Sequence, residues 1–190
     1  GLVAFLLMMV VGPVLVVRAL VIRCCSSGPA LFRQKRVGEG GRTFTMFKFR
    51  TMCTDADARL DALQNRHDGN ETLFKLRQDP RVTRVGALLR RYSLDELPQL
   101  LNVVRGEMSL VGPRPERPYF VERFARTFPD YVQRHRSPAG LTGWAQIHGL
   151  RGDTSIAERV RFDNYYIDNW SLWRDLTILV RTVTAFSRRD

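Results

Sequence analysis

Three residues near the middle of the chain carry groups that react or bind anions: the adjacent acids Asp95 and Glu96, and Arg114, which stands between two prolines. An ionised carboxylate can act as a nucleophile or as a metal ligand. The prolines restrict the backbone on both sides of Arg114, and a guanidinium held in one place is suited to binding phosphate. Two acids and one fixed arginine within residues 93–116 therefore predict phosphate chemistry.

A purely structural interpretation of the same residues is also open. Ser93 and Glu96 have the S-x-x-E spacing of a capping box, in which both side chains bind free N–H groups at a helix start. Asp95 is not needed for such a box, and the first turn of a helix favours its ionised form and a bound phosphate. Pro98 allows the helix to begin nearer Leu97. The Pro-Arg-Pro sequence can likewise be an ordinary rigid loop.

Helical periodicity predicts the elements on either side of the acids. After them, a stripe recurs at Leu97, Leu100, Leu101 and Val104. Gly106 is a suitable stop for this helix. Before the acids, Thr83 is expected to cap a second helix. Its predicted inward positions are Val85, Leu88, Leu89 and Tyr92. A polar surface helix at residues 54–66 and a loop at residues 68–71 are predicted upstream.

A β-hairpin is predicted near the start of the chain, with strands at residues 31–37 and 42–50 and a glycine-rich turn at residues 38–41. Alternation places Lys48 and Arg50 on one face of the second strand, opposite Phe47 and Phe49. One packed face and one solvated face would explain this pattern without any function.

The C-terminal third is predicted to be mostly helical. Residues 119–136 read as a helix with aromatic side chains spaced by four, which is typical of a core, although such a stripe can also rest on an interface. Residues 137–149 form a glycine-rich loop, in which Trp144 and Gln146 either contact a nucleobase or pack a turn. The last helix, residues 172–186, has an apolar side that either closes the core or lies on a membrane.

Composition narrows the classes of partner. A chain of 190 residues suits one domain. Its formal net charge of +11 predicts anionic partners, which include nucleic acid, anionic lipid and phosphorylated substrates. Cys24, Cys25 and Cys53 show neither zinc spacing nor a disulfide framework, so we expect them to be reduced. The three histidines form no metal signature, and His148 is the one that could line a site.

An apolar run opens the chain. Residues 1–17 carry no charge, Arg18 interrupts the run, and Gly12 and Pro13 lie in its middle, where proline kinks a helix. Because the run is apolar on every side, lipid is favoured over a buried core helix. The basic residues follow the run, which argues against a cleavable signal peptide and places the folded part on the cytoplasmic side. They are also expected to bind anionic lipid headgroups.

Three long motifs carry a resemblance to a known family. They read LDELPQLLNVVRGEMSLVGPRPE around the acid pair, KFRTM at residues 48–52 and GLTGWAQIHG at residues 140–149. With them, nearly the whole chain resembles the bacterial sugar transferase family, the monotopic polyprenol-phosphate phosphoglycosyl transferases that begin the assembly of capsule, exopolysaccharide, O-antigen and protein-linked glycans. Relatives carry a further segment before the position of Gly1, so we expect this chain to be part of a longer protein.

The resemblance implies a compact fold without a Rossmann-type nucleotide domain. We therefore expect an α+β, mostly helical, membrane-associated single domain with a small β-hairpin and interfacial helices. Residues 1–23 are the expected membrane-embedded helix, either re-entrant at Gly12 and Pro13 or a kinked transmembrane helix. Residues 24–190 are the expected catalytic domain, facing the cytoplasm at the bacterial inner membrane.

The resemblance also implies a mechanism. Asp95 is expected to attack the sugar-bearing phosphorus of a UDP-sugar, release UMP and form a covalent aspartyl-phosphosugar. Undecaprenyl phosphate then takes the phosphosugar. Mg²⁺ is the expected cofactor, with Asp95 and Glu96 as its ligands, and Glu96 is a second catalytic group. The expected substrate-binding residues are Lys48, Arg50, Arg90, Arg114 and Gln146.

The expected partners are a UDP-sugar, undecaprenyl phosphate and membrane lipids, with no nucleic acid. The sugar and the pathway are not readable from the motifs, and a homo-oligomer is left open. Two alternatives stay open on chemistry alone, a membrane-tethered basic module that binds nucleic acid and a metal-dependent phosphohydrolase. The basic residues form no known nucleic-acid-binding motif, and acids that hold two metals are usually dispersed rather than adjacent.

Overall fold

The computed structural model describes residues 2–25, 27–56, 58–59, 79–152 and 154–187. The helices are α1 (Leu2–Cys25), α2 (Arg84–Arg91), α3 (Leu100–Val104), α4 (Pro118–Thr127), α5 (Trp144–Ile147), α6 (Ile156–Asp168) and α7 (Leu172–Ser187). The strands are β1 (Leu31–Val37), β2 (Thr43–Phe49), β3 (Ser109–Val111) and β4 (Gly140–Thr142), and 3₁₀ segments cover Leu94–Gln99 and Pro129–Arg136. The predicted α+β, mostly helical class is confirmed. The helix predicted at residues 54–66 and the loop at 68–71 lie largely outside the described residues.

Helix α1 is apolar around most of its circumference. Its window Met8–Cys25 has a mean hydropathy of 2.0 and is only 6% buried, so it is long and apolar enough to cross a membrane. Pro13 lies inside this single helix. Whether the helix re-enters or spans a bilayer stays a prediction.

One face of α1 nevertheless leans on the rest of the protein. The half-buried and buried positions recur every three or four residues, at Met8, Val11, Gly12, Leu15, Arg18, Ala19 and Ile22. Ile22 is 3% exposed and packs with Phe49 and Leu89 in one apolar cluster, which Leu94 also joins. The C-terminal half of α1 is therefore attached to the segment that carries the acid pair.

The predicted hairpin is confirmed. β1 and β2 pair antiparallel from Leu31 opposite Phe49 to Val37 opposite Thr43. The structural alternative, with one packed face and one solvated face, is wrong. Met46, on the same face as Lys48, is 3% exposed in a cluster with Val103 of α3 and with Met108, while Phe47 and Phe49 fill the other face. Both faces of β2 are covered because α3 packs across the hairpin.

Asn102 fixes α3 to the hairpin. This fully buried side chain accepts a hydrogen bond from the Phe47 N–H (3.1 Å) and donates to the Thr45 carbonyl (2.7 Å). α3 begins at Leu100 rather than Leu97, and Val104 from the predicted stripe is 37% exposed. The inward set is instead Leu100, Asn102 and Val103. The predicted stop at Gly106 is confirmed by its φ of 77°.

A second, parallel sheet was not predicted. Ser109 of β3 pairs with Gly140 of β4, and Val111 pairs with Thr142. The strands approach so closely beside this pairing that a Cβ on Gly140 would lie 2.1 Å from the Gly112 nitrogen, and a Cβ on Gly143 would lie 2.2 Å from the Gly112 carbonyl oxygen. Glycine is therefore required at positions 140 and 143, which face the chain at the end of β3.

Helix α2 is capped as predicted, because the Thr83 hydroxyl accepts a hydrogen bond from the Gly86 N–H (2.9 Å). Two of its four predicted inward positions are wrong, since Leu88 is 57% exposed and Tyr92 is 47% exposed. Gly86 turns a different face inward, because a Cβ there would meet the Thr51 carbonyl oxygen at 2.0 Å. Leu89 is buried beside that contact.

The aromatic stripe of α4 belongs to the core. Phe124 is 3% exposed and packs with Tyr131, Ile156 and Val160, with Phe120 and Phe128 against them. Helix α7, for which a core and a membrane position were both open, has two apolar faces. Ile178 is fully buried against β3 and α6, whereas another set is exposed: Leu172, Trp173, Leu176, Val180 and Val183.

Candidate functional site

The acid pair lies on the 3₁₀ segment Leu94–Gln99. Ser93 precedes it in the left-handed conformation (φ 51°), and its side chain makes no capping hydrogen bond. The capping box is therefore not formed, and the structural interpretation of the S-x-x-E spacing is wrong. The Glu96 side chain extends instead towards two cations from other parts of the chain.

Glu96 is held by Lys48 and Arg114. Lys48 Nζ lies 2.8 Å from Glu96 Oε1, Arg114 Nη2 lies 2.5 Å from the same oxygen, and Arg114 Nη1 lies 3.2 Å from Oε2. Burial alone would raise the pKa of Glu96, but the charges of Arg114 and Lys48 outweigh it and hold that pKa far below its usual value. Burial in turn lowers the pKa of Lys48. Glu96 therefore stays ionised, with both oxygens engaged.

Asp95 has a different environment from its neighbour. It is half-buried, and in the described part of the chain no cation lies within salt-bridge distance of its carboxylate. Burial and the negative charge of Glu96 raise the pKa of Asp95, partly opposed by Lys48 and Arg90. The helix-end argument predicted stabilisation of the charged form, but the pKa of Asp95 shifts in the opposite direction, because burial and the neighbouring Glu96 carboxylate outweigh the nearby cations.

Arg114 is held by its backbone as well as by its side chain. Each carbonyl of residues 113–116 accepts one hydrogen bond: Pro113 from the Gly140 N–H (2.9 Å), Arg114 from Arg134 Nη2 (2.8 Å), Pro115 from Arg36 Nη1 (3.2 Å) and Glu116 from the Val37 N–H (2.9 Å). A turn fixed at every carbonyl can present one guanidinium in a constant position. This is the rigid turn that the sequence predicts.

A buried ion pair supports the turn from behind. Arg134, from the 3₁₀ segment Pro129–Arg136, lies 2.6 Å and 3.1 Å from Asp163 Oδ2 on α6, with side chains 1% and 3% exposed. Burial would lower the pKa of Arg134, but Asp163 outweighs it and raises that pKa. Arg134 also donates to the Tyr131 hydroxyl (3.1 Å). Burial raises the pKa of Asp163, and the charge of Arg134 opposes that shift. The pair ties the Arg114 carbonyl to α6.

Glu116 links the turn to two further arginines. Its carboxylate lies 2.9 Å from Arg159 Nη1 and 3.4 Å from Arg36 Nη1. Arg159 also donates to the Gly152 carbonyl (2.7 Å) and to the Thr154 hydroxyl (3.1 Å). This network connects the turn to the loop before α6.

The other predicted binding residues, Gln146, Arg90 and Arg50, differ in whether they lie close to Asp95, Glu96 and Arg114. Gln146 Oε1 accepts a hydrogen bond from Arg114 Nη1 (3.3 Å), and its Nε2 is buried with no partner among the described residues. Arg90 donates to the Thr51 hydroxyl (2.8 Å) and contributes positive charge near Asp95. Arg50 does not join the ion pairs of Glu96, because its guanidinium turns to the carbonyls of Ser27 and Gly28. A binding role for Arg50 stays a prediction.

The acid pair suits a magnesium ion only in part. Among the described residues, no three His, Cys, Asp or Glu side chains gather as a metal site. Mg²⁺ commonly takes one or two carboxylates and completes its shell with substrate phosphates and water. Asp95 fits such a site, since no cation of the described residues pairs with it. Glu96 would have to release or share Lys48 and Arg114 to bind a metal, and its role as a ligand stays a prediction.

Sequence reasoning missed the residues that position this centre. Asn102 was detectable as a polar residue in the middle of an apolar run, but its bonds to β2 were not. Arg134 and Asp163 gave no signal, because nothing in the spacing pairs residues so far apart.

Comparisons with known proteins agree with the motif resemblance. The sequence profile described as bacterial sugar transferase matches residues 1–189. The chain is 47% identical, over 98% of its length, to a UDP-glucose:undecaprenyl-phosphate glucose-1-phosphate transferase from Caulobacter vibrioides. It is 42% identical, over 93% of its length, to a UDP-N-acetylgalactosamine-undecaprenyl-phosphate N-acetylgalactosaminephosphotransferase from Aeromonas hydrophila. It is 45% identical, over 96% of its length, to an undecaprenyl-phosphate glucose phosphotransferase from Komagataeibacter xylinus.

These relatives are longer than the chain and differ in the sugar they are named for. The chain spans 67% of the first, 41% of the second and 34% of the third. Relatives named for glucose and for N-acetylgalactosamine resemble it to similar degrees, so identity does not assign a sugar.

Proposed function

Because this chain belongs to the bacterial sugar transferase family, we propose that it transfers a sugar 1-phosphate from a UDP-sugar to undecaprenyl phosphate and releases UMP. The observation that carries the proposal is the contrast within the acid pair. Glu96 binds two cations, whereas Asp95 beside it has none within salt-bridge distance in the described residues. One acid thus organises positive charge, and the other is available to react.

Asp95 is the proposed nucleophile. A carboxylate oxygen of Asp95 forms a bond to the sugar-bearing phosphorus, and the bond from that phosphorus to the bridging oxygen breaks, so that UMP leaves with the electron pair. An oxygen of undecaprenyl phosphate then attacks the aspartyl-phosphosugar. This second displacement frees the Asp95 carboxylate and yields the lipid diphosphosugar. Separate half-reactions predict ping-pong kinetics.

Lys48 and Arg114 are the proposed phosphate-binding residues. Their side chains are 18% and 29% exposed, so a diphosphate can approach them without dismantling the core. The fixed turn presents Arg114 with little further ordering on binding, which favours stabilisation of charge that develops on the phosphoryl oxygens. The unpartnered Nε2 of Gln146 is a further donor beside Arg114.

Magnesium, if bound through Asp95 and the substrate phosphates, would neutralise negative charge on the diphosphate. Glu96 pairs directly with Lys48 and Arg114, so both cations are already in place to bind that diphosphate. Its lowered pKa makes it a poor proton donor at neutral pH.

Helix α1 is the proposed meeting point with the lipid substrate. It is apolar enough to enter a bilayer, and its C-terminal half packs in the cluster that includes Leu94, next to Asp95. A water-soluble donor and a lipid acceptor can therefore reach one site at the membrane surface. We infer a position at the bacterial inner membrane with residues 24–190 in the cytoplasm.

The test measures UMP release by the purified protein in detergent with Mg²⁺, undecaprenyl phosphate and a panel of UDP-sugars. We expect one or a few donors to release UMP, and Asp95→Asn to abolish the release. Asp168→Asn is the matched control, because Asp168 is a half-exposed acid on α6 and its variant should retain activity. Free sugar phosphate without a lipid product would contradict transfer in favour of hydrolysis.

A further inference from the structure

Arg18 is the one charged residue among the first 22 of the chain. It lies on the protein-facing stripe of α1, three residues after Leu15 and four before Ile22. Its neighbours Val17 and Leu20 point outward and are 59% and 58% exposed. The charge is therefore directed at the protein rather than at the lipid-facing side of the helix.

The guanidinium of Arg18 lies against the protein and is incompletely satisfied. Its Nη1 is shielded from solvent and has no hydrogen-bond partner within the described residues. Nor does any described carboxylate lie within 4.0 Å of it, since no salt bridge involves Arg18. An unsatisfied charged donor in an apolar segment is costly, and such residues in membrane helices usually serve a ligand or pathway.

The location of Arg18 connects it with the acid pair. Leu15 and Ala19, on either side of Arg18, pack against the cluster of Ile22 and Phe49, which Leu94 also joins. Leu94 directly precedes Asp95. Arg18 is four residues before Ile22, which at about 1.5 Å per residue puts it about 6 Å further along the helix towards the membrane end. A cation thus lies on the membrane side of the candidate site.

We propose that Arg18 binds the terminal phosphate of a lipid phosphomonoester and holds that headgroup on the membrane side of Asp95. The identification of this lipid as the acceptor, undecaprenyl phosphate, rests on the proposed function. A monoester offers up to two negative charges and three oxygens to one guanidinium, whereas a phospholipid diester offers one charge. The exposed apolar side of α1, at Val14, Val17 and Val21, provides a surface for the hydrocarbon chain.

A binding experiment tests this without catalysis. Native mass spectrometry of the protein in detergent would count retained lipid with three probes: a short-chain polyprenyl phosphate, the corresponding polyprenol and phosphatidylglycerol. We expect Arg18→Met to lower the affinity for polyprenyl phosphate about ten-fold, as the loss of a charge-assisted hydrogen bond entails, and to leave the weaker polyprenol retention unchanged. Arg18→Lys should keep most of the affinity. Arg123→Met is the control, since Arg123 is exposed on α4.

A kinetic experiment separates this role from the chemistry at Asp95. In the absence of acceptor, the donor half-reaction gives a burst of UMP, which Arg18→Met should leave unchanged. With acceptor present, the same variant should raise KM for polyprenyl phosphate about ten-fold, while KM for the UDP-sugar stays constant.

Several results would overturn the inference. Equal loss of polyprenyl phosphate and polyprenol would mean that Arg18 only supports the apolar contact. Loss of phosphatidylglycerol alone would make it a contact for bulk lipid headgroups. A variant with a reduced UMP burst and an unchanged acceptor KM would assign it to donor chemistry or folding, and Arg18→Lys would then show whether charge matters. If the unmodified protein releases no UMP, the proposed function fails, whereas the binding experiment still decides the role of Arg18.

Discussion

Two of the ion-pair clusters among the described residues use the same chemical groups for different purposes. In the front cluster, Glu96 meets Arg114 at 2.5 Å, and the side chains are 16% and 29% exposed. In the rear cluster, Asp163 meets Arg134 at 2.6 Å, and they are 3% and 1% exposed. The distances are alike, so accessibility separates the two. The front cluster can exchange partners with a phosphate, while the rear cluster can only hold the protein together.

Arg114 joins the two clusters. Its guanidinium belongs to the front cluster, and its carbonyl accepts a hydrogen bond from Arg134 in the rear cluster. An exposed arginine usually loses side-chain and backbone freedom when it binds a ligand. Here the rear cluster has already fixed the backbone of Arg114. Substrate binding therefore costs little further conformational entropy in the protein.

The largest effect that separates the clusters is expected from Asp163→Ala. Removal of the carboxylate leaves the Arg134 charge buried without its partner, which should lower the free energy of unfolding by about 3–5 kcal/mol. Thermal unfolding in detergent would measure it. Replacing both residues, as in Arg134→Met with Asp163→Leu, should recover much of the loss. A single variant as stable as the unmodified protein would contradict the assignment of a tight buried pair.

Glu96→Gln should mainly lower activity and leave the stability nearly unchanged, whereas Asp163→Ala mainly lowers stability. The variant preserves shape but no longer neutralises Lys48 and Arg114, so the positive charge around the diphosphate is rearranged. We expect UMP release to fall about a hundred-fold. Lys48 and Arg114 keep some exposure, so the unfolding temperature should change little. A large fall in that temperature would show that the front cluster is structural after all.

The pH dependence distinguishes Asp95 from Glu96. Attack requires ionised Asp95, whose pKa is raised above its usual 3.8 by burial and by Glu96. The donor half-reaction should therefore rise with pH through a pKa above that of an ordinary aspartate and level off beyond it. Glu96→Gln removes one cause of the upward shift, so its residual activity should titrate at a lower pH. An unchanged acid limb in that variant would count against Asp95 as the titrating group.

Arg114→Lys tests the geometry of the front cluster with its charge preserved. Lysine cannot make the two parallel bonds to Glu96 and a further bond to Gln146. KM for the UDP-sugar should rise about ten-fold, and the unfolding temperature should hold, because the Arg114 carbonyl is bonded through the backbone. Initial-rate kinetics with the active donor would measure this. Equal KM values would mean that charge alone suffices.

The smallest effect is expected at a surface pair that resembles the rear cluster only in distance. Arg136 and Asp168 lie 2.7 Å apart, with side chains 47% and 54% exposed. Asp168→Ala should cost less than about 1 kcal/mol, since water screens exposed pairs. If thermal unfolding gave the same loss for Asp168→Ala and Asp163→Ala, burial would not be what separates the clusters.

Local signals in the sequence predicted much of the frame. The hairpin bounds, the Thr83 cap and the Gly106 stop depend on residues within a few positions of one another, and all agree with the structure. The Pro-Arg-Pro turn was also readable, because proline restricts its own backbone. Such local features can be predicted without knowledge of the tertiary contacts that cover them.

Features set by distant partners were not predictable. Strands of three residues, such as Ser109–Val111, are too short to show alternation. The 30 basic residues of the chain could not be ranked by spacing, so Arg134 was missed as the support of Arg114. For the same reason Arg50 was placed with Lys48, although its guanidinium turns to the carbonyls of Ser27 and Gly28. Leu88 was assigned inward because periodicity does not reveal that Gly86 makes the close contact.

The order in which the chain is synthesised bears on the turn at Arg114. Its backbone is anchored by Arg134, by the Gly140 N–H and, through Arg134, by Asp163, all of which leave the ribosome after it. The nascent chain therefore carries α1 and the acid pair for some time before the turn can be fixed, and these non-local contacts slow folding. A chain interrupted before α6 would hold its reactive acids beside a turn whose support, Arg134, has lost its partner Asp163. The site is thus completed only after the 3₁₀ segment, β4 and α6 have been synthesised.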